Sequence, residues 1–231
     1  MKEKITVLTG AGMSADSGLK TFRDANGLWE GYDVMEVASP RGFHQNPELV
    51  LDFYNQRRRQ LLSAAPNKGH EALVKLEALF DVTIITQNVD DLHERAGSSH
   101  VLHLHGELLK VRSTGPSRNV YTWKKDLFIG DACPEGFQLR PHIVWFGEEV
   151  PLLQEAASIT SKADKIIIVG TSMQVYPAAG LMYYAKDNTP IYFIDPKPTI
   201  AHSSDWDLHI IPKKAAIGVP NLVAQLLDDG C

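Results

Sequence analysis

Cysteine is scarce in this chain. Cys133 and Cys231 are the only two among 231 residues, too few for a disulfide framework or a four-thiolate metal site. Basic residues are not in excess. The chain carries 23 Lys and Arg against 28 Asp and Glu, a net charge of −5, which lacks the signature of a nucleic-acid binder. Long hydrophobic runs are missing too. The longest clean one, Ile166-Ile167-Ile168-Val169, is far too short to span a bilayer. There are no internal repeats, low-complexity tracts or long runs of one charge. A strand pattern begins almost at the first residue, which leaves no room for a signal or transit peptide. The expectation is a cytoplasmic, soluble protein, a monomer, with neither nucleic acid nor membrane as partner. Its 44% hydrophobic content suits one large domain, or one domain with a small insertion.

Short apolar runs read as strands at 4–9, 82–86, 100–104, 143–146, 165–169 and 190–195, with a weaker one at 207–211. Continuous runs of this kind suit strands covered on both faces. Helical patterns lie between several of them, at about 47–64, 69–80, 150–163, 177–187 and 219–229. The alternation implies an α/β fold with a doubly wound, mostly parallel sheet. Residues 28–80 look like a helical insertion, and 107–142 like a loop-rich one. Together they form a small lobe against a core of about 1–27, 81–106 and 143–231.

In open α/β sheets, ligands bind beyond the carboxyl ends of the strands. The first strand ends in Gly10-Ala11-Gly12-Met13-Ser14-Ala15-Asp16-Ser17-Gly18, which contains the G-x-G-x-x-A pattern of a dinucleotide-binding turn. The glycines permit a tight turn and close approach of backbone to a pyrophosphate, and the helix expected next would offer its N-terminus. A second strand should follow, with an acidic residue about 20 positions on. Residues 19–29 instead form a polar loop. The other strands end at Gln87-Asn88-Val89-Asp90, His105-Gly106, Gly147-Glu148, Gly170-Thr171-Ser172 and Asp195, so polar and glycine-rich endings share one rim.

Each ending also has a plainer reading. Gly170-Thr171-Ser172 suits a phosphate or ribose contact, or a capped turn. The amides of Gln87 and Asn88 suit a neutral carboxamide ligand, but local sequence favours helix capping by Asn88 or Asp90. His105 could be a general base near neutral pH or a structural strand histidine. Tyr54 and Arg57 share a helix face and would make a carboxylate clamp, yet Arg57-Arg58-Arg59 reads locally as a solvated charge run.

Taken in order, these residues resemble one family, the sirtuins, which are NAD-dependent protein-lysine deacylases. The resemblance covers nearly the whole chain. It rests on Gly10-Ala11-Gly12-Met13-Ser14, Ser17-Gly18-Leu19, Thr21-Phe22-Arg23, Thr86-Gln87-Asn88-Val89-Asp90, Leu104-His105-Gly106, Arg140-Pro141-His142-Ile143-Val144-Trp145-Phe146-Gly147-Glu148, and Gly170-Thr171-Ser172 with Val175-Tyr176-Pro177-Ala178. It implies an NAD site formed by Gly10, Ala11, Gly12, Ser14, Ala15, Gly18, Thr21, Phe22 and Arg23. Gln87, Asn88, Val89 and Asp90 would line the nicotinamide pocket, Gly170, Thr171 and Ser172 the phosphate and ribose side. Asp195 would face the adenosine ribose and Ala216 the adenine.

In the implied reaction nicotinamide leaves and the acyl oxygen attacks the sugar carbon. His105, helped by Asn88 and Asp90, then acts as base, giving free lysine and O-acyl-ADP-ribose. The acyl-lysine peptide would lie among Val144, Phe146, Gly147, Glu148, Val175 and Tyr176. Tyr54 and Arg57 match the Tyr-x-x-Arg pair of the desuccinylase and demalonylase class. The zinc cysteines usual in the family are absent from 107–144 apart from Cys133, so no metal is expected. Packing of Val120, Tyr121, Trp123, Leu127 and Phe137 would take over. Lys20, Asp91 and Asp195 are smaller departures from the pattern. Other functions open to such a site are protein mono-ADP-ribosyl transfer and non-catalytic binding of NAD or ADP-ribose.

Overall fold

The computed structural model describes residues 2–20, 28–29, 31–198 and 206–229. The strands are β1 (Lys4–Thr9), β2 (Leu28–Trp29), β3 (Tyr32–Asp33), β4 (Asp81–Thr86), β5 (Val101–His103), β6 (Gly106–Ser113), β7 (Val120–Thr122), β8 (Leu139–Ile143), β9 (Lys165–Val169), β10 (Ile191–Ile194) and β11 (Leu208–Ile211). The helices are α1 (Val34–Val37), α2 (Pro40–Gln45), α3 (Pro47–Ser63), α4 (Lys68–Leu76), α5 (Leu92–Ala96), α6 (Leu153–Thr160) and α7 (Ala215–Asp229).

Six strands form a sheet in the order β11-β10-β9-β1-β4-β5, every pair parallel. This is the dinucleotide-fold order, with its switch point between β1 and β9. The expected α/β class is borne out. The second strand is not missing but displaced to β4, because the first crossover carries α1 to α4.

Strand side chains alternate between two apolar layers. Ile5, Val7, Ile84, Ile167, Val169 and Ile194 pack beneath α4 and α7. Leu8, Ile85, Ile166, Ile168 and Phe193 pack on the opposite face with α6 and a 3-10 helix at Ala178–Tyr184. Ala72, Leu73 and Leu76 of α4 belong to the first of these layers, so this part of the expected helical insertion lies against the sheet.

Four local expectations need correction. Residues 143–146 do not join the main sheet. Their start ends β8, which pairs antiparallel with β6, and the chain then turns back on itself. Trp145 N–H donates to Glu148 Oε2 at 2.8 Å, and Glu148 N–H to the Trp145 carbonyl at 2.9 Å. The helix expected after the glycine turn is replaced by two 3-10 turns, Ala11–Met13 and Ala15–Ser17, the second closed by Gly18 at φ +87°. The helix expected at 177–187 is likewise 3-10. The last helix starts at Ala215, ahead of Pro220, because the Lys214 carbonyl accepts from Ile217 and Gly218 and nucleates the turn first.

The second lobe packs on α3. Asn46 caps this helix, its Oδ1 accepting from Leu49 N–H at 3.1 Å, and Pro47 opens it. One side of α3 holds the loop-rich insertion. Asn55 Nδ2 donates to the Leu127 carbonyl at 2.9 Å, and Asn55 Oδ1 accepts from Leu127 N–H at 2.8 Å and Arg58 Nη1 at 2.7 Å. Arg58 Nε reaches the Leu108 carbonyl at 3.2 Å. Leu51, Val111, Leu127, Cys133 and Leu139 form the apolar centre here, with Tyr121 and Trp123 against it. Val120 and Phe137 are exposed, so the packing differs in detail from that expected.

Behind the sheet rim lies a pair of fully buried histidines. His70 and His93 stand 4.8 Å apart, ring centre to ring centre. Burial lowers the His70 pKa to about 4 and holds His93 well below its usual value, with the two neighbouring histidines adding to the effect. Both are therefore neutral at pH 7. Because the folded pKa lies below the unfolded one of about 6.5, their contribution to stability is complete above pH 6.5 and is lost as pH falls towards 4. His70 alone accounts for on the order of 3 kcal/mol.

Three outcomes are expected. Denaturation midpoints should drop steeply between pH 6.5 and 4; a flat profile in that window would contradict the buried neutral pair. Asn55→Leu should destabilise by about 2–4 kcal/mol in urea unfolding, and metal analysis of the native protein should find well under one zinc per chain.

Candidate active site

The switch point is where backbone meets backbone. Gly10 N–H donates to the Val169 carbonyl at 3.0 Å and Gly12 N–H to the Gly170 carbonyl at 2.7 Å. A Cβ on Gly12 would lie 2.7 Å from Gly170 Cα, and one on Gly170, which sits at φ +61°, 2.3 Å from Met13 N. The two turns interlock only because neither position carries a side chain. Their exposed side is a cradle of backbone, which suits a pyrophosphate, and the donors and acceptors around it fit NAD.

A cavity of about 310 Å³ opens from this cradle. Its wall includes Gly10, Ala11, Gly12, Ser14, Gln87, Asn88, Val89, Asp90, His105, Gly170, Thr171 and Ser172 from the expected cofactor and catalytic set. Tyr54, Arg57, Val144, Phe146, Gly147, Glu148, Val175 and Tyr176 from the expected substrate set line the same cavity. Ala15, Gly18, Asp195 and Ala216 lie outside its wall. Asp195 ends β10 on the same rim and accepts from Lys197 N–H at 2.8 Å, while Ala216 is in the first turn of α7. Thr21, Phe22 and Arg23 fall outside the described residues.

Two histidines hold the loop after β4. His105 Nδ1 lies 3.0 Å from the Gln87 carbonyl, and His103 Nδ1 3.2 Å from the Asn88 carbonyl. A carbonyl only accepts, so Nδ1 carries the proton in both rings. They differ at the other nitrogen. His103 Nε2 meets Glu94 Oε1 at 2.6 Å. Burial opposes its charge, but Glu94 outweighs that and raises the pKa, so His103 braces the loop. His105 has its pKa lowered by burial against the opposing pull of the Gln87 carbonyl. It presents an unprotonated Nε2 at neutral pH.

Beside it, Asn88 Nδ2 donates to Ser14 Oγ at 3.1 Å and Ser14 Oγ to Asp90 Oδ2 at 2.9 Å. Burial raises the Asp90 pKa while Ser14 and the Leu92 N–H pull it down. This chain links the glycine turn to the carboxamide-bearing loop. Gln87 Nε2 reaches Thr171 Oγ1 at 3.2 Å and ties in the third rim segment. Of the two readings weighed for 86–90, the capping contact is present, because Asp90 Oδ1 also accepts from Leu92 N–H at the start of α5.

The opposite wall is α3. Arg57 and Arg58 are buried, so the charge run is not a solvated face; only Arg59 reaches outward, to Asp126. The Arg57 guanidinium lies 3.9 Å from the Phe53 ring centre and 5.4 Å from that of Trp29. Tyr54 Oη accepts from Trp145 Nε1 at 2.9 Å. The Glu148 carboxylate pairs with Arg140 Nη1 and Arg112 Nη2, both at 2.8 Å. Trp29, Gln60 and Trp145 also line the cavity and were not expected there. Gln60 lies two turns along α3 from Arg57's neighbour Phe53, a signal that helical periodicity could have supplied.

The Sir2 family profile matches residues 10–177. The NAD-dependent protein deacylase of Helicobacter pylori is 57% identical over 226 residues, covering 98% of each chain. A mutant Sir2 homologue solved with ADP-ribose superposes with a TM-score of 0.89 at 40% identity, over 99% of this chain and 93% of that one. A Sir2 homologue solved with NAD gives 0.87 at 38% identity, over 100% and 91%.

Proposed function

The chain belongs to the Sir2 family, and from that premise we propose which residues carry out its reaction and which acyl group it favours. It is an NAD-dependent protein deacylase. When bound, NAD supplies a sugar carbon made reactive by departure of its nicotinamide. The chain's own residues hold, orient and move protons. Gly10, Gly12 and Gly170 present backbone to the phosphates, and the Thr171 and Ser172 hydroxyls face the same side. Gln87, Asn88 and Asp90 orient the carboxamide end. His105 Nε2 accepts a proton from a ribose hydroxyl and Nδ1 stays bonded to the Gln87 carbonyl throughout.

The observation that carries this reading is the fixed His105 tautomer on the wall shared by the glycine cradle and α3. The acyl-lysine segment lies across Gly147, Val175 and Tyr176 and pairs as an added strand. Dependence on an intracellular dinucleotide supports the cytoplasmic expectation. No helix among the described residues is long and apolar enough to cross a membrane.

The favoured acyl group is an acidic one. Arg57 pairs with the distal carboxylate of a succinyl or malonyl group and Tyr54 donates to it. A buried guanidinium bordering the cavity supports this, since an acetyl group has no carboxylate to pair with it.

His105→Ala should lower deacylation about 10²–10⁴-fold. In the native enzyme the acid limb of kcat/KM should fall below the usual histidine value of about 6.5, because the active ring is the neutral one; a limb above that value would refute the role. Arg57→Met should cut the succinyl-to-acetyl ratio of kcat/KM by about 1.5–3 kcal/mol, measured with peptides differing only in the acyl group. An unaltered ratio would remove the clamp.

A further inference from the structure

Tyr54 is 1% exposed and Trp145 2%, yet both border the cavity. The Tyr54 oxygen receives the Trp145 indole N–H at 2.9 Å. Among the described residues this is the phenol's only protein hydrogen bond, and it uses the phenol as acceptor. The indole nitrogen has one proton and no acceptor capacity, so the direction of the bond is fixed. The phenol's own proton is left without a protein acceptor and beside the cavity.

The indole is itself held firmly. Arg140 Cζ stacks 3.2 Å from its ring centre. The guanidinium is anchored by Glu148 Oε1 at 2.8 Å and the Ile143 carbonyl at 2.9 Å, and Glu148 also binds the Trp145 backbone N–H. A cation over the face withdraws density from the ring and sharpens the N–H as a donor. Arg140, Glu148 and Trp145 thus form one rigid unit that ends on Tyr54 Oη.

We propose that Trp145 is a positioning residue for acyl selection: its indole N–H occupies the acceptor side of Tyr54 Oη and thereby commits the phenol O–H to a ligand acceptor in the cavity. The inference rests on the acidic-acyl reading. It adds that the preference is written partly by a residue distant in sequence that does not touch the carboxylate. A phenol free to rotate would spend part of its time donating elsewhere or accepting from water. The indole removes those alternatives before the substrate arrives, which is preorganisation. The effect should therefore appear in KM for acidic acyl groups.

The test compares succinyl- and acetyl-lysine peptides of one sequence on Trp145→Phe, Tyr54→Phe, the double variant and Arg57→Met. Trp145→Phe keeps an aromatic ring under Arg140 and removes the N–H. The succinyl-to-acetyl ratio of kcat/KM should fall about three- to tenfold, through KM, and Trp145→Phe should cause no further fall in the Tyr54→Phe background. Where Trp145→Phe does not fold, benzothienylalanine at position 145 replaces the N–H by sulfur in nearly the same shape and decides the matter by the same criterion. A ratio unchanged by loss of the N–H, while Tyr54→Phe or Arg57→Met lowers it, overturns the inference and leaves the acidic-acyl reading standing. Equal kcat losses for both peptides also overturn it, as they indicate only a packing role. A ratio unmoved by Tyr54→Phe and Arg57→Met overturns both.

Discussion

Gly12 can lie where it does only because Gly170 has no side chain, and the reverse holds as well. Their contact brings the ends of β1 and β9 within hydrogen-bond reach at the point where the sheet order reverses. The functional rim is built outward from this contact. Ser14 follows Gly12 and reaches the loop after β4; Thr171 follows Gly170 and reaches Gln87 from the other side. That loop is pinned in turn by His103 and His105. A side chain at either glycine would push the two turns apart and loosen each of these bonds in sequence.

Helix α3 supplies the other half of the site. Consecutive residues on it face different tasks. Tyr54 and Arg57 form the cavity wall, and Asn55 and Arg58 hold the loop-rich insertion. The same helix therefore fixes both a wall of the cavity and the loop-rich insertion. Buried hydrogen bonds to the Leu127 backbone brace that insertion, since a polar group inside a lobe must be satisfied by protein once water is excluded. Rigidity gained on one side of α3 is shared by the other.

The sheet was legible because β1, β4, β9 and β10 are continuous apolar runs, and such runs have few alternatives once buried on both faces. Five of the six expected rim endings, those after β1, β4, β5, β9 and β10, were legible for the same reason. The segment 143–146 misled because its apolar run is turned by Glu148 and Arg140, whose pairing no periodicity reveals. The buried state of Arg57 and Arg58 was hidden by a charge run that looks solvated. Trp145 and Tyr54 are 91 residues apart, so their bond becomes visible only when β8 and α3 are brought together. Gly10-Ala11-Gly12 does form a turn, but the Gly170 carbonyl that receives its Gly12 N–H lies far along the chain.

The expected cofactor rim and the Tyr54–Arg57 face of α3 share one cavity, and the proposed acidic-acyl preference follows from that sharing. The most direct test is a competition in the native enzyme. Succinyl- and acetyl-lysine peptides of one sequence, at equal concentration and with NAD in excess, compete for limiting protein. Mass spectrometry then measures the two O-acyl-ADP-ribose products. The account predicts that the O-succinyl product dominates. Equal yields, or a majority of O-acetyl product, would contradict it.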